Sequence, residues 1–103
     1  MKMFINGIPC DASDGVTIDV INPATGAVVD TVPSATKEDV DKAVACAKAA
    51  QKEWAEVPVS EKVAILYKFL DIVDENKEKL AQVLSQETGK PIVEARAEIG
   101  NIR

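Results

Sequence analysis

The chain has 103 residues, 47% of them hydrophobic, with 17 acidic against 12 basic residues and a net charge of -5. A chain of this length supports one modest core, so we expect one domain or part of one. The acidic balance argues against nucleic-acid and anionic-lipid partners, and no apolar run approaches the roughly 20 residues that span a bilayer. The N-terminus at Met1–Phe4 lacks the apolar stretch of a signal peptide, which predicts a cytoplasmic protein.

Residues 1–33 are predicted to form short strands joined by tight turns. Asn6-Gly7 stands between two short apolar segments and is typical of a type I′ hairpin, because both central positions need a positive φ. Apolar residues then alternate with polar ones over Val16–Val20, as in a strand with one apolar face. After a turn at Asn22–Gly26, a further strand is predicted at Ala27–Val32.

The remainder is predicted to be helical. Thr36 and Asp39 have the spacing of a capping box, with aspartate in place of glutamate, at the start of a helix over Lys37–Ala55. Ser60 is the expected N-cap of the next helix. That helix is apolar on most sides between Val63 and Val73, so we expect it to be covered on most sides.

Two more helical segments follow. Asn76 is expected to recap the chain, and Gly89 followed by Pro91 predicts a helix stop and restart. In the last segment Ile92, Ala95 and Ile99 fall on one face. This pattern runs to Arg103 without a cap, which favours a piece of a larger protein.

Few residues offer chemistry of their own. Cys10 and Cys46 are far apart and are best interpreted as reduced, partly buried thiols, and histidine, the usual general base, does not occur in the sequence. Thr88-Gly89-Lys90 lacks the preceding strand and first glycine of a phosphate loop, so a helix C-cap is favoured. Acidic residues recur on a polar face that is expected to be solvated or salt-bridged: Glu87, Glu94 and Glu98. We therefore assign no catalytic and no cofactor-binding residue.

The order of the motifs resembles the N-terminal part of the NAD(P)-dependent aldehyde dehydrogenase superfamily over nearly the whole chain. Any one motif is weak, but together and in register they make chance similarity improbable. The motifs are Phe4-Ile5-Asn6-Gly7, Val20-Ile21-Asn22-Pro23-Ala24-Thr25-Gly26, Val32-Pro33 before a helix with Asp39-Val40-Asp41 and Ala43-Val44, Trp54, and Glu87-Thr88-Gly89-Lys90-Pro91.

The resemblance implies an α/β parent enzyme several times longer, with cofactor-binding, catalytic and oligomerisation regions. Such an enzyme oxidises an aldehyde to a carboxylic acid with NAD or NADP through a cysteine thioester, which water then hydrolyses. The reactive residues and the cofactor loop would belong to later sequence. This segment is expected to be α+β and inactive alone, with strands and turns over 1–33, then three to four helices over 34–103 that cover the cofactor-domain sheet.

The resemblance also implies one local site. In some family members a monovalent cation is held by main-chain carbonyls before Asn-Pro and by the acidic residue before Thr-Gly-Lys. The matching residues here are Val20, Ile21 and Glu87, whose hard oxygen atoms suit such an ion. A solvated surface carboxylate is the competing interpretation of Glu87.

The expected partners are the C-terminal remainder of the same enzyme and further copies of the segment, because the apolar helix faces and strand edges need cover. The alternative is a free-standing helical interaction module without catalysis. The sequence does not specify the aldehyde, the choice between NAD and NADP or the oligomeric state, nor whether a truncation is natural, engineered or proteolytic.

Overall fold

The computed structural model describes residues 1–102, in which four strands precede four helices. The predicted order of short N-terminal strands followed by helices is confirmed. Two compact units share the chain. The first consists of residues 1–20 and 30–57, and the second of residues 21–29 and the chain from Pro58 onward.

The first hairpin joins β1 (Met3–Ile5) to β2 (Ile8–Cys10). The strands are antiparallel, with Met3 opposite Cys10 and Ile5 opposite Ile8. Asn6 and Gly7 both have positive φ, at 52° and 76°. These are the signs of φ that a type I′ turn requires, so the predicted hairpin is confirmed.

β3 (Thr17–Ile21) and β4 (Val28–Pro33) form a second two-stranded sheet. Both strands begin one residue later than predicted. Val16 precedes β3 because its amide donates to the Asp14 side chain at 3.0 Å, and Ala27 precedes β4 because its amide donates to the Thr25 hydroxyl at 3.3 Å. Side-chain acceptors in the two turns thus take these amides.

α1 (Lys37–Glu56) begins at the predicted capping box. The Thr36 hydroxyl accepts from the amide of Asp39, and the Asp39 side chain accepts from the amide of Thr36. The helix ends where Val57 adopts an extended conformation, as expected for a residue before proline.

The prediction of Ser60 as an N-cap is wrong. α2 (Val59–Glu75) already includes Ser60, and Pro58 is at the N-cap. The carbonyl of Pro58 accepts the amides of Glu61 at 3.0 Å and Lys62 at 3.1 Å. The helix can start there because its first amides need no intrahelical partner, and the proline ring restricts only its own φ and the residue before it.

Asn76 lies between α2 and α3 (Lys77–Thr88), but it does not cap α3 with its side chain. Its Nδ2 instead donates to the carbonyl of Ile72 at 2.8 Å and so closes the end of α2. The predicted cap position at the start of α3 is thus confirmed, while the side chain bonds to the end of α2, because an amide group can donate as well as accept.

α3 and α4 (Ile92–Gly100) pack against each other, and each contributes a fully buried alanine, Ala81 and Ala95. On their surface Arg96 donates to both carboxylate oxygens of Glu78, at 2.9 and 2.7 Å. These hydrogen bonds lower the pKa of Glu78 and raise the pKa of Arg96.

The last helix is shorter than predicted. α4 ends at Gly100, and the amides of Asn101 and Ile102 donate to carbonyls three residues earlier, at 3.1 and 3.3 Å. Glycine is a poor helix former and last turns often tighten in this way. The part of the prediction that concerns Arg103 lies outside the described residues. The predicted inner face is confirmed, since Ala95 is buried and Ile92 and Ile99 are half-buried.

The hydrophobic core is small, and α2 is much more exposed than predicted. Among residues 1–102 the buried apolar residues are Ala12, Val73, Ala81 and Ala95. In α2, Leu66, Tyr67 and Ile72 are 58%, 60% and 58% exposed. Within the described part of the chain no helix combines the length and apolar character needed to cross a membrane.

Candidate functional site

The turn at residues 22–26 is held together by Asn22. Its Oδ1 accepts from the amide of Ala24 at 2.9 Å, and its carbonyl accepts from the amides of Thr25 at 3.2 Å and Gly26 at 2.8 Å. The amide of Asn22 donates to the carbonyl of Ala27 at 2.9 Å. Asparagine commonly fixes turns through such local bonds, so the backbone after β3 is shaped by this short segment itself.

The end of α3 is equally well defined. Gly89 adopts a left-handed conformation with φ 71° and its amide donates to the carbonyl of Ser85 at 2.9 Å. The Ser85 hydroxyl donates to the carbonyl of Lys90 at 2.7 Å and bridges the break before α4. The prediction that Thr88-Gly89-Lys90 forms a helix C-cap is confirmed.

These two segments are in contact within the second unit. A Cβ placed on Gly89 would lie 2.8 Å from Cγ of Pro23 and 3.2 Å from the amide nitrogen of Ala24. A side chain at position 89 would therefore require Pro23 or the backbone around Gly89 to shift. The turn after β3 and the cap of α3 therefore form one closely packed corner.

The residues predicted to bind a cation lie next to this corner or in the first unit. Ile21, the last residue of β3, is two positions before Pro23, and the half-buried Glu87 is two positions before Gly89. The contact between Pro23 and Gly89 thus brings the segments that carry Ile21 and Glu87 together. Val20 is half-buried in β3 and belongs to the first unit.

The chemistry available at this corner is that of oxygen atoms. Among residues 1–102 there is no group of three or more histidine, cysteine, aspartate or glutamate side chains that could hold a metal ion. A site here would combine main-chain carbonyls with the single carboxylate of Glu87. Hard oxygen ligands of this kind suit alkali and alkaline-earth cations rather than zinc or copper.

The two thiols lie elsewhere, in the first unit. Cys10 ends β2 and Cys46 is in the middle of α1, and both are free and half-buried, as predicted. Cys46 lines a shallow groove of about 330 Å³ with Ala43, Ala47 and the β1–β2 turn. The side chains around it are apolar or amide, and the groove therefore offers no general base for a nucleophile.

α2 carries two apolar grooves within the second unit. One of about 250 Å³ is lined by Val63, Leu66, Tyr67 and Leu70. Another of about 450 Å³ lies where α2 meets the following helices and includes Phe69, Ile72, Leu80, Ile99 and Ile102. Exposed apolar patches of this kind are typical of protein contacts, membrane contacts and ligand-binding grooves.

Sequence reasoning identified both halves of the corner as motifs, and the cation site implied by the resemblance joined residues from both. The close approach of Gly89 to Pro23 was not predicted, because such long-range contacts leave no mark in local periodicity. Sequence reasoning also missed Ser85, whose hydroxyl joins α3 to the segment before α4.

Known proteins of one family resemble this chain in both sequence and structure. Residues 10–103 match the profile of the aldehyde dehydrogenase family. The chain is 42% identical over 99 residues to malonate-semialdehyde dehydrogenase 1 of Bacillus thuringiensis (strain Al Hakam), covering 96% of this chain and 20% of that protein.

Two solved structures show the same fold. An NAD-dependent aldehyde dehydrogenase from Sinorhizobium meliloti is 40% identical, with a TM-score of 0.92 over 96% of this chain and 20% of that one. An NADP-dependent glyceraldehyde-3-phosphate dehydrogenase from Bacillus halodurans C-125, complexed with NADP, is 31% identical, with a TM-score of 0.93 over 96% and 21% of the two chains. The chain thus spans about a fifth of the length of these relatives. The agreement of motifs, fold and sequence identity shows that the chain belongs to the aldehyde dehydrogenase family.

Proposed function

We propose that the chain is the N-terminal structural portion of a cytoplasmic enzyme that oxidises an aldehyde to a carboxylic acid with NAD or NADP. The observation that carries this proposal is the match of residues 10–103 to the aldehyde dehydrogenase family. Relatives whose names specify either cofactor, NAD or NADP, resemble the chain equally well in structure.

The role of these residues in that enzyme is to support the fold. In the described part of the chain the glycines lie in turns before strands or at helix ends, and none opens a helix after a strand. Such residues do not form the phosphate-binding loop of a dinucleotide site. The groove lined by Cys46 contains no basic side chain. The thioester chemistry, with hydride transfer to the nicotinamide, is therefore assigned to residues outside this chain.

The exposed faces of α2 are proposed to pack against the remainder of the enzyme. Val63, Leu66 and Phe69 are 41%, 58% and 54% exposed. Burying their side chains against other protein would stabilise the complex by about 25 cal/mol for each Å² of apolar surface removed from water. When the 103-residue chain is produced alone, the same faces should drive self-association.

Light scattering after size-exclusion chromatography tests this proposal. We expect oligomers of the 103-residue chain, and a shift toward monomer for Val63→Gln/Leu66→Gln. The matched control Glu61→Gln/Lys68→Gln changes polar positions of the same helix and should leave the oligomers unchanged. A compact monomer with a cooperative melt would instead support the alternative of an autonomous interaction module.

We further propose that the carbonyls of Val20 and Ile21 and the carboxylate of Glu87 bind a monovalent cation. Support comes from the corner itself, because Ile21 and Glu87 each lie two residues before one of the contacting residues, Pro23 and Gly89. Half-burial of Glu87 strengthens its attraction for a cation relative to a fully solvated carboxylate.

Thermal unfolding of the full-length enzyme in potassium chloride and in tetramethylammonium chloride of equal ionic strength tests the site. Potassium should raise the midpoint of the wild type, and Glu87→Gln should remove that increase. Glu94→Gln, on the exposed surface of α4, is the matched control and should keep it. Equal midpoints in both salts for the wild type would rule the cation site out.

The activity is tested by mixing the full-length protein with NAD or NADP and a panel of aldehydes and following formation of the reduced nucleotide. We expect turnover by the full-length protein and none by the 103-residue chain. Turnover by the short chain, or none by the full-length protein with any aldehyde, would contradict the proposal. Fractionation of the cells that produce the protein tests the cytoplasmic location.

A further inference from the structure

Gly89 is constrained twice, which distinguishes it from the other glycines with positive φ. Its φ of 71° favours glycine, and a Cβ at this position would collide with the ring of Pro23 and make a tight contact with the backbone of Ala24. Gly7, Gly15 and Gly26 have φ values of 76°, 74° and 72°, and a Cβ on any of them would meet nothing within 4 Å. Comparison with these glycines therefore separates the effect of the steric contact at position 89 from the effect of the positive φ.

Neither side of this contact can yield easily. On one side the ring of Pro23 can move only by small changes of pucker, and the amide of the next residue, Ala24, is held by the Asn22 side chain at 2.9 Å. On the other side the amide of Gly89 is bonded to the carbonyl of Ser85, and the hydroxyl of Ser85 holds the carbonyl of Lys90. Two hydrogen-bonded backbone segments in contact respond to a collision by separating rather than by compressing.

We propose that Pro23 and Gly89 form a steric lock that holds the 22–26 turn against the C-cap of α3. The 22–26 turn fits against α3 only while Gly89 is in the left-handed conformation. The absence of a side chain at Gly89 leaves space for the ring of Pro23. The end of β3 and the end of α3 thus behave as one conformational element. This inference goes beyond aldehyde oxidation and does not depend on a cation being bound.

The test uses asparagine, because asparagine tolerates the left-handed conformation better than other residues with a Cβ. Gly89→Asn adds the Cβ that meets Pro23, whereas Gly15→Asn adds one in open space at nearly the same φ. Hydrogen exchange of the Thr25 and Gly26 amides, both bonded to the carbonyl of Asn22, is measured in the full-length protein. Pro23→Ala and the double variant Pro23→Ala/Gly89→Asn complete the cycle.

We expect Gly89→Asn to accelerate exchange of these two amides by about tenfold or more and Gly15→Asn to leave it unchanged. In the Pro23→Ala background the acceleration caused by Gly89→Asn should be much smaller, because the ring atoms it meets are gone. If Gly89→Asn does not fold, recovery of a folded protein in the double variant supports the lock. Equal exchange in Gly89→Asn and Gly15→Asn, or an acceleration that persists without the proline ring, would overturn it.

Discussion

The side chain of Asp39 at the start of α1 accepts the amide of Ser13, a residue before β3, at 3.1 Å. The same oxygen accepts the amide of Thr36 at 2.9 Å and lies within 3.3 Å of the Ser13 hydroxyl. One buried carboxylate therefore completes the capping box and ties the preceding loop to the helix. Backbone amides and the positive end of the helix dipole both favour the charged form.

Removal of the Thr36 hydroxyl should destabilise α1. Thr36→Ala leaves the amide of Asp39 without its capping acceptor and should lower the free energy of unfolding by about 1 kcal/mol. Urea unfolding followed by the fluorescence of Trp54, the single tryptophan, reports on α1 directly. Thr36→Ser keeps the oxygen and should retain most of the stability. A serine variant as unstable as the alanine variant would show that the hydroxyl bond is not the cause.

Asp39 should make stability depend on pH in the acid range. The amides of Thr36 and Ser13 hold its pKa below the usual value of 3.8. The folded state then binds fewer protons than the unfolded state. The stabilisation is therefore complete above pH 3.8 and is lost as the pH falls through the lower folded-state value.

Thermal midpoints of the wild type and Asp39→Asn, measured from neutral pH down into this range, check that expectation. The difference between the two proteins should be constant at neutral pH and shrink on acidification. The comparison with Asp39→Asn is needed because Asp30 and Glu78 also have lowered pKa values. A difference that does not change with pH would exclude ionisation of Asp39 as the source.

Deletion of two hydroxyls near the end of α3 should have different effects on stability. Ser85 donates to the carbonyl of Lys90 across the helix break, so Ser85→Ala should cost about 1 kcal/mol in unfolding free energy. Thr88 donates to the carbonyl of Leu84 within its own helix, at 2.6 Å. Thr88→Ala should be close to neutral, because alanine is the better helix former and that carbonyl has other bonding capacity. Unfolding in urea distinguishes the two, and equal costs would contradict the bridging role of Ser85.

The pair of Glu78 and Arg96 should stabilise the packing of α3 on α4 in a salt-dependent way. Both side chains are about half exposed, at 55% and 53%, so the contribution is modest and screened by ions. Arg96→Lys keeps the charge and loses the two parallel hydrogen bonds. Arg96→Lys should lower the thermal midpoint at low salt nearly as much as Glu78→Gln does. The double variant Glu78→Gln/Arg96→Lys should lower the midpoint little further than either single variant.

High salt should reduce both effects, while Glu94→Gln, on the exposed surface of α4, serves as the control. Full retention of the wild-type midpoint in Arg96→Lys would mean that charge alone, without the bidentate geometry, is sufficient.

Local sequence was a good guide where neighbouring residues decide the structure. The hairpin at Asn6-Gly7, the capping box at Thr36 and the stop at Gly89 were all predicted, because each depends on backbone preferences of a few adjacent residues. The error at Ser60 and the unexpected side-chain hydrogen bond of Asn76 also involve only neighbouring residues. In each case the backbone used a different donor or acceptor from the one that the residue type favoured.

The sequence by itself therefore determined the order of strands and helices, the turn positions, the caps at Thr36 and Gly89 and the family to which the chain belongs. Only the tertiary structure decided that Pro23 touches Gly89, that Asp39 holds Ser13, and that most apolar side chains of α2 stay exposed within the described residues. The physical reason is that packing depends on which distant segments approach one another in space. Hydrophobic periodicity predicts which face of a helix is apolar, but it does not predict which other segment packs against that face.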